Sequence, residues 1–294
     1  MTPDRRKLTV SYIQFIIGEK KIQACCNING IYMGDRMELI LMDFSGVYRE
    51  QRFYQDRQQP VFWIDCQDIE GTNCYCDQNA QEQLSERIKG FGPEGIHFLD
   101  SGNYHYASLL WLKKCREPFE LLMFDHHTDM QPPAFGDILS CGGWLKTALD
   151  TNTFLSHIWL AGPPLKEEPF REDGRVTRLS LKDMEDREGW GRNFSCHGEG
   201  MEGALPLYIS VDKDVLRPED ARTNWNQGEL ELETLLCCLK EALASRVLIG
   251  MDVCGENPEG TETKEDGAGD GPVNDRTNRE LVHHLFSLPF YGKL

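Results

Sequence analysis

From about residue 38 to the end of the chain, short apolar runs alternate with stretches whose apolar positions fall three and four apart. The runs at Glu38–Asp43, Val61–Asp65, Ile96–Asp100, Phe119–Phe124, His157–Ala161, Val176–Leu179, Leu207–Val211 and Val247–Met251 predict strands. Leu84 and Ile88 mark one helix between them. Tyr106, Leu109, Leu110 and Leu112 mark a second, and Leu235, Leu236, Leu239 and Leu243 a third. A last helix is predicted from near Asp275, packing Leu281, Leu285 and Phe286 against the sheet. Alternation of this kind implies parallel strands joined by crossover helices. The fold class is therefore α/β, a single-domain, three-layer sandwich with a mainly parallel sheet over residues 1–294. In such sheets ligands bind in the crevice beyond the carboxyl ends of the strands.

The flanking segments are less regular. Residues 1–35 read as an N-terminal extension with strand alternation at Ile13, Phe15 and Ile17. The basic residues Arg5, Arg6 and Lys7 precede the apolar Leu8–Ile17, but Ser11 and Gln14 interrupt that run. Glu19-Lys20-Lys21 then follows where a cleavage site would lie, so a strand is the expectation rather than an export signal. Pro163–Asp186 is mostly polar and reads as a surface excursion around the short strand at Val176. Glu256–Asp275 is acidic and glycine-rich and reads as a mobile loop.

Composition narrows the function classes. Hydrophobic residues at 40% suit a chain that buries a sizeable core. A net charge of −17 argues against a nucleic-acid partner, because phosphate binding needs a basic surface. No apolar run approaches the roughly 18 residues of a membrane span. Without an export signal, the 11 cysteines read as reduced thiols of a cytoplasmic protein. Cys66, Cys74 and Cys76 cluster but lack the paired spacing of a structural zinc site, so they read as packing thiols.

The sharpest chemical signal follows two of the predicted strands. After the apolar Leu121–Phe124 come Asp125, His127 and Asp129 at alternate positions, which on extended backbone share one side. After Tyr208–Val211 come Asp212 and Asp214, again two apart. Carboxylates and an imidazole converging near a core call for a cation, because unpaired buried charge is costly. One such run could be chance, whereas two suggest a metal site. His126 faces the other way by the same alternation.

With these segments in view, the chain resembles the ureohydrolase branch (arginase, agmatinase, formiminoglutamase) of the arginase and deacetylase superfamily. The matching segments are Ser101-Gly102-Asn103-Tyr104-His105, Asp125-His126-His127-Thr128-Asp129, Ser210-Val211-Asp212-Lys213-Asp214 and Met251-Asp252-Val253-Cys254-Gly255-Glu256-Asn257-Pro258. The resemblance implies an arginase-like fold and two Mn(II) ions per chain. It places one ion on His105, Asp125, Asp129 and Asp212, and the other on Asp125, His127, Asp212 and Asp214, with Asp125 and Asp212 bridging. Four carboxylates would balance two dications. Oxygen-rich ligation with only two imidazoles suits manganese better than zinc.

The implied activity is hydrolysis of a carbon–nitrogen bond in a linear guanidino or amidino small molecule by metal-activated hydroxide. Asp129 would steady the tetrahedral intermediate. Deacetylase-type amide hydrolysis and a non-catalytic metal-binding role stand as alternatives. Family members often form homo-oligomers, although no motif here marks an interface.

Two departures from the family pattern bear on the substrate. The Glu that holds a guanidinium in the family aligns with Gly255, with Glu256 one place later. In a strand that step reverses the face, so Glu256 substitutes only if the backbone bulges at Gly255. A His assigned as proton shuttle in the arginases falls near Cys141, within Asp137–Gly143. Cys141 then packs, lines the pocket, or takes a proton-transfer or nucleophilic role.

Overall fold

The apolar runs assemble side by side into one sheet. Its strands in chain order are β1 (Ile13–Ile16), β2 (Leu39–Asp43), β3 (Val61–Asp65), β5 (Ile96–Phe98), β6 (Phe119–Phe124), β8 (Leu155–Ala161), β9 (Val176–Leu179), β10 (Leu207–Asp212) and β11 (Leu248–Cys254). The short β4 (Tyr75–Cys76) and β7 (Leu139–Ser140) pair separately and antiparallel. The structure is a computed structural model that describes residues 13–16, 37–55, 59–133, 136, 138–164, 173–195, 205–244, 246–258 and 270–288. Across the sheet the order is β1-β3-β2-β5-β11-β10-β6-β8-β9, and each neighbouring pair is parallel.

Parallel strands covered on both faces are mostly apolar, and β6 and β10 are buried at each position, the polar Glu120, Ser210 and Asp212 included. Side chains alternate between two cores. Ile40 and Met42 of β2 join α1 (Gln78–Ile88), α2 (Ala107–Leu112) and α3 (Trp144–Thr151) on one face. Leu39 and Leu41 join α4 (Leu181–Glu185), α5 (Arg187–Ser195), α6 (Leu232–Leu243) and α7 (Asp270–Ser287) on the other. This is the three-layer α/β architecture that the alternation predicts. Each fully buried Leu, Ile or Phe contributes roughly 1.5–3 kcal/mol to it.

The differences from expectation are local. Helix α7 begins at Asp270, five residues before Asp275, because Pro272 sits in the first turn, where its missing N–H costs nothing. Only 256–258 and 270–275 of the expected acidic loop are described. Glu256 is buried and 270–275 are helical, so neither end is mobile loop. Within Pro163–Asp186, α4 is held by a capping box in which Ser180 and Asp183 exchange hydrogen bonds. Strand β11 runs past Met251 to Cys254. Of the strand expected at Leu8–Ile17, only Ile13–Ile16 lies among the described residues, and it adds to the sheet edge beside β3.

Candidate metal centre

The strand order β5-β11-β10-β6 brings four carboxyl ends together, and every motif segment lies at one of them. His105 follows β5 on a short 3-10 turn, Gly102–Tyr104. Asp125, His127 and Asp129 follow β6. Asp212 closes β10, Asp214 lies in the turn after it, and Cys254 closes β11.

Strand alternation is not what gathers the Asp125 run. Strand β6 ends at Phe124, and Asp129 has φ +49°, in the left-handed region. Convergence comes instead from a loop whose own side chains brace it. The His127 amide donates to Asp125 Oδ1 (2.6 Å), and the His126 amide donates to Asp214 Oδ1 (2.9 Å). The Asp214 amide donates to Asp212 Oδ1 (3.0 Å). Asp212 and Asp214 thus each satisfy a turn with Oδ1 and keep Oδ2 for the centre, whereas Asp125 Oδ1 serves both.

The resulting geometry is close. His105 Nδ1 lies 3.0 Å from Asp129 Oδ2, 3.2 Å from Asp125 Oδ2 and 3.6 Å from Asp212 Oδ2. His127 Nδ1 lies 2.7 Å from Asp214 Oδ2 and 3.6 Å from Asp125 Oδ1. Among the described residues, the groups whose donor atoms converge as ligands do are His105/Asp125/Asp129, Asp125/His127/Asp214 and His105/Asp212/Cys254. All six sequence-predicted ligands therefore meet, and Asp125 is shared between the two imidazoles.

One atom tests whether a cation fits. His105 is 1% exposed, its Nε2 is 2.9 Å from Ser210 Oγ, and its Nδ1 has no hydrogen-bond partner. Three carboxylates crowd that Nδ1, so either a proton on the ring or a metal ion must stand between them. The donor set fits the group.

Without a cation the charges are costly. Burial, then repulsion from Asp129, raises Asp125. Burial, then Asp214, lifts Asp212 to about 6, and burial, then Asp125, lifts Asp214 to about 7. The carboxylates of Asp125 and Asp214 hold His127 up at about 11. Burial opposes charge on His105, but Cys254, Asp125 and Asp129 outweigh it and keep the ring well above its ordinary value. The cluster stores protons where a metal would replace them.

Over this floor lies a cavity of about 290 Å³ walled by Cys74, Gln131, Cys141 and Trp225. Cys141 lines it and is 7% exposed. Burial, then repulsion from Asp129, pushes its thiol up to about 12, so it is a protonated wall group rather than a thiolate. Glu256 goes elsewhere. Gly255 has φ +89°, and that turn sends the Glu256 carboxylate into a buried cluster with Lys213 Nζ, Gln51 Nε2 (2.7 Å) and Asn278 Nδ2 (2.7 Å). It does not line the cavity.

Several site residues carry no motif. Trp144 Nε1 donates to Asp129 Oδ2 (2.6 Å), and Cys254 Sγ donates to Asp212 Oδ2 (3.1 Å). In the sequence Trp144 looks like any core aromatic, and Ser210 and Cys254, although inside the family-like segments, were not singled out as site residues. His97 is buried, stacked on Trp111 and bonded to Asp252 (2.8 Å), apart from the centre. Cys66 and Cys76 are buried, Cys74 walls the cavity, and these three form no ligand group.

Fold and site together define a class: a parallel α/β protein that gathers carboxylates and imidazoles at the carboxyl ends of neighbouring strands. The profile of the Arginase family matches residues 44–269, and the chain belongs to that family. An uncharacterized protein of Thermotoga maritima is 29% identical over 223 residues, covering 74% of this chain and 78% of its own. Among solved structures, proclavaminate amidino hydrolase from Streptomyces clavuligerus superposes with a TM-score of 0.62 at 14% identity, covering 87% of this chain and 91% of its own. A triple mutant of the T. brucei arginase-like protein, bound with Mn2+, gives 0.54 at 16%, covering 86% and 92%. At such identities the structural likeness is one of fold. No helix among the described residues is long and apolar enough to cross a membrane.

Proposed function

We propose that this protein is a hydrolase that cleaves a carbon–nitrogen bond of a linear guanidino or amidino compound with the help of two divalent cations. The observation that carries this reading is the buried Nδ1 of His105, without a hydrogen-bond partner and crowded by three carboxylates, one of which also reaches His127. His105, Asp125, Asp129 and Asp212 would hold one ion, and Asp125, His127, Asp212 and Asp214 the other. When bound, such a pair supplies Lewis acidity and a water-derived nucleophile near neutral pH. Oxygen-rich ligation favours manganese, and the Mn2+-bound triple mutant of the T. brucei arginase-like protein, with Asp, His and Asp introduced, supports that choice. The amidino hydrolase among the structural neighbours supports the bond type.

The protein's own groups position the substrate and manage its charge. Asp129, fixed by the Trp144 N–H, presents a carboxylate that steadies the positive charge on the tetrahedral carbon's amino group. Cys141 shapes the wall and serves as a weak donor. The small cavity suits a small molecule. Glu256 acts through Lys213 as a positioning residue, so substrate recognition differs from that of relatives whose fourth segment turns a Glu inward. That same observation favours a second reading, a relative that binds metal without turnover.

Urea and amine release across guanidines, amidines and acetyl-amides tests the proposal. Manganese-dependent release from a guanidine or amidine, lost in Asp125→Asn, is the expected result. Release from amides alone would indicate deacetylase chemistry, and no release from a metal-loaded protein would leave the non-catalytic reading. Full activity on L-arginine, unchanged by Cys141→Ser, would overturn the role given to the Cys141 wall.

A further inference from the structure

Strands β10 and β11 pair in parallel with Asp212 directly opposite Cys254, so the two side chains leave the sheet on the same side at adjacent carboxyl ends. Cys254 is 1% exposed, and its Sγ is 3.1 Å from Asp212 Oδ2. Its sulfur, one His105 ring nitrogen and one Asp212 oxygen lie within 4.8 Å of one another. A cation centred among them has all three at bonding reach, given Zn–S near ~2.3 Å and Zn–N near ~2.0 Å.

We propose that Cys254 is itself a metal ligand, a thiolate beneath the cavity floor that completes the His105 position and makes it prefer a borderline-soft dication such as zinc or cobalt(II). The proposal rests on the reading that this centre binds metal, and deepens it. Two independent observations support it. The thiol is placed by strand register rather than by a loop. His105 Nδ1, 3.6 Å from the Asp212 oxygen that Cys254 bonds, is buried without a hydrogen-bond partner, with Ser210 on the opposite nitrogen.

The two positions then differ in kind. The His127 position draws on Asp125, Asp212 and Asp214, an oxygen-rich set that suits manganese. The His105 position adds sulfur, which shifts selectivity away from manganese. Cys254 does not line the cavity, so its sulfur faces the ion and not the substrate. On binding, the S–H bond gives way to an S–metal bond, and the thiol proton leaves to solvent.

Cobalt(II) alone, titrated into metal-free protein, is the probe. Wild type is expected to show an intense near-ultraviolet thiolate-to-cobalt charge-transfer band that disappears in Cys254→Ser. Proton release per bound ion should be higher in wild type than in that variant. Zinc-over-manganese preference should fall about tenfold or more in Cys254→Ser. The band should survive Cys74→Ser and Cys141→Ser, the thiols that line the cavity, which leaves Cys254, the cysteine placed with His105 and Asp212 among the described residues, as its source even if the Cys254 variant does not fold. Cobalt bound without the band, or a band that survives Cys254→Ser, would overturn the ligand assignment and leave the metal centre standing. Absence of cobalt binding would overturn both.

Discussion

Lys213 stands in sequence between two acids of the centre, yet its ammonium turns away from them to the carboxylate of Glu256. The two side chains are 0% and 1% exposed. Asn278 accepts from Lys213 Nζ through Oδ1 (3.0 Å) and donates to Glu256, tying helix α7 to the turn that carries Asp212 and Asp214. Breaking a buried pair leaves an uncompensated charge and costs about 3–5 kcal/mol. Lys213→Met and Glu256→Gln should each destabilise by that order in urea unfolding, and the double variant by much less than the sum. Additive losses would show that the two side chains act independently.

Gly255 makes this placement of Glu256 possible. At φ +89° a side chain is strained, and a Cβ there would come within 2.5 Å of Asp212 Oδ1 and 2.8 Å of the Lys213 amide nitrogen. Gly255→Ala should cost about 1–3 kcal/mol from backbone strain and displace Asp212, weakening metal binding. Thermal melting with and without metal checks both effects. An unshifted melting temperature would contradict the account.

The Trp144 indole anchors Asp129, and removing such a partner typically costs roughly 10–100-fold in metal affinity. Trp144→Phe keeps the ring and deletes the donor, so manganese affinity measured by calorimetry should fall within about that range. Affinity unchanged by the substitution would mean that Asp129 is held by its backbone alone.

Asp125 reaches both imidazoles, whereas Asp214 contacts only His127 of the two. Asp125→Asn should therefore empty both positions, and Asp212→Asn should do the same if that residue bridges as proposed. Asp214→Asn should mainly weaken one position. Elemental analysis of the three variants checks this ranking. Full metal content in Asp212→Asn would refute the shared-ligand map.

The fold was largely legible because strands buried on both faces read as near-continuous apolar runs, as Leu121–Phe124 does and Leu207–Val211 does but for Ser210. Helices α4 and α5 were not legible, because they are short and polar, with Met184 and Trp190 their buried anchors. The Ser180–Asp183 capping box was the available signal for α4. The ligands were legible because carboxylates and imidazoles crowded at the ends of buried strands leave charge uncompensated unless a cation joins them. Strand alternation accounts for only part of their convergence, since Asp129 reaches the centre through a left-handed loop. Lys213 was illegible for a physical reason: a lysine reads as exposed, and only its pairing with Glu256, distant in sequence, permits burial. The place of Glu256 was hidden for the same reason, because the turn at Gly255 carries it to that lysine and away from the cavity.

Metal content per chain, measured by elemental analysis after expression with manganese and exhaustive dialysis, tests the central claim most directly. The account predicts about two ions per chain, since four clustered carboxylates are balanced by two dications. No retained metal after deliberate loading would contradict it.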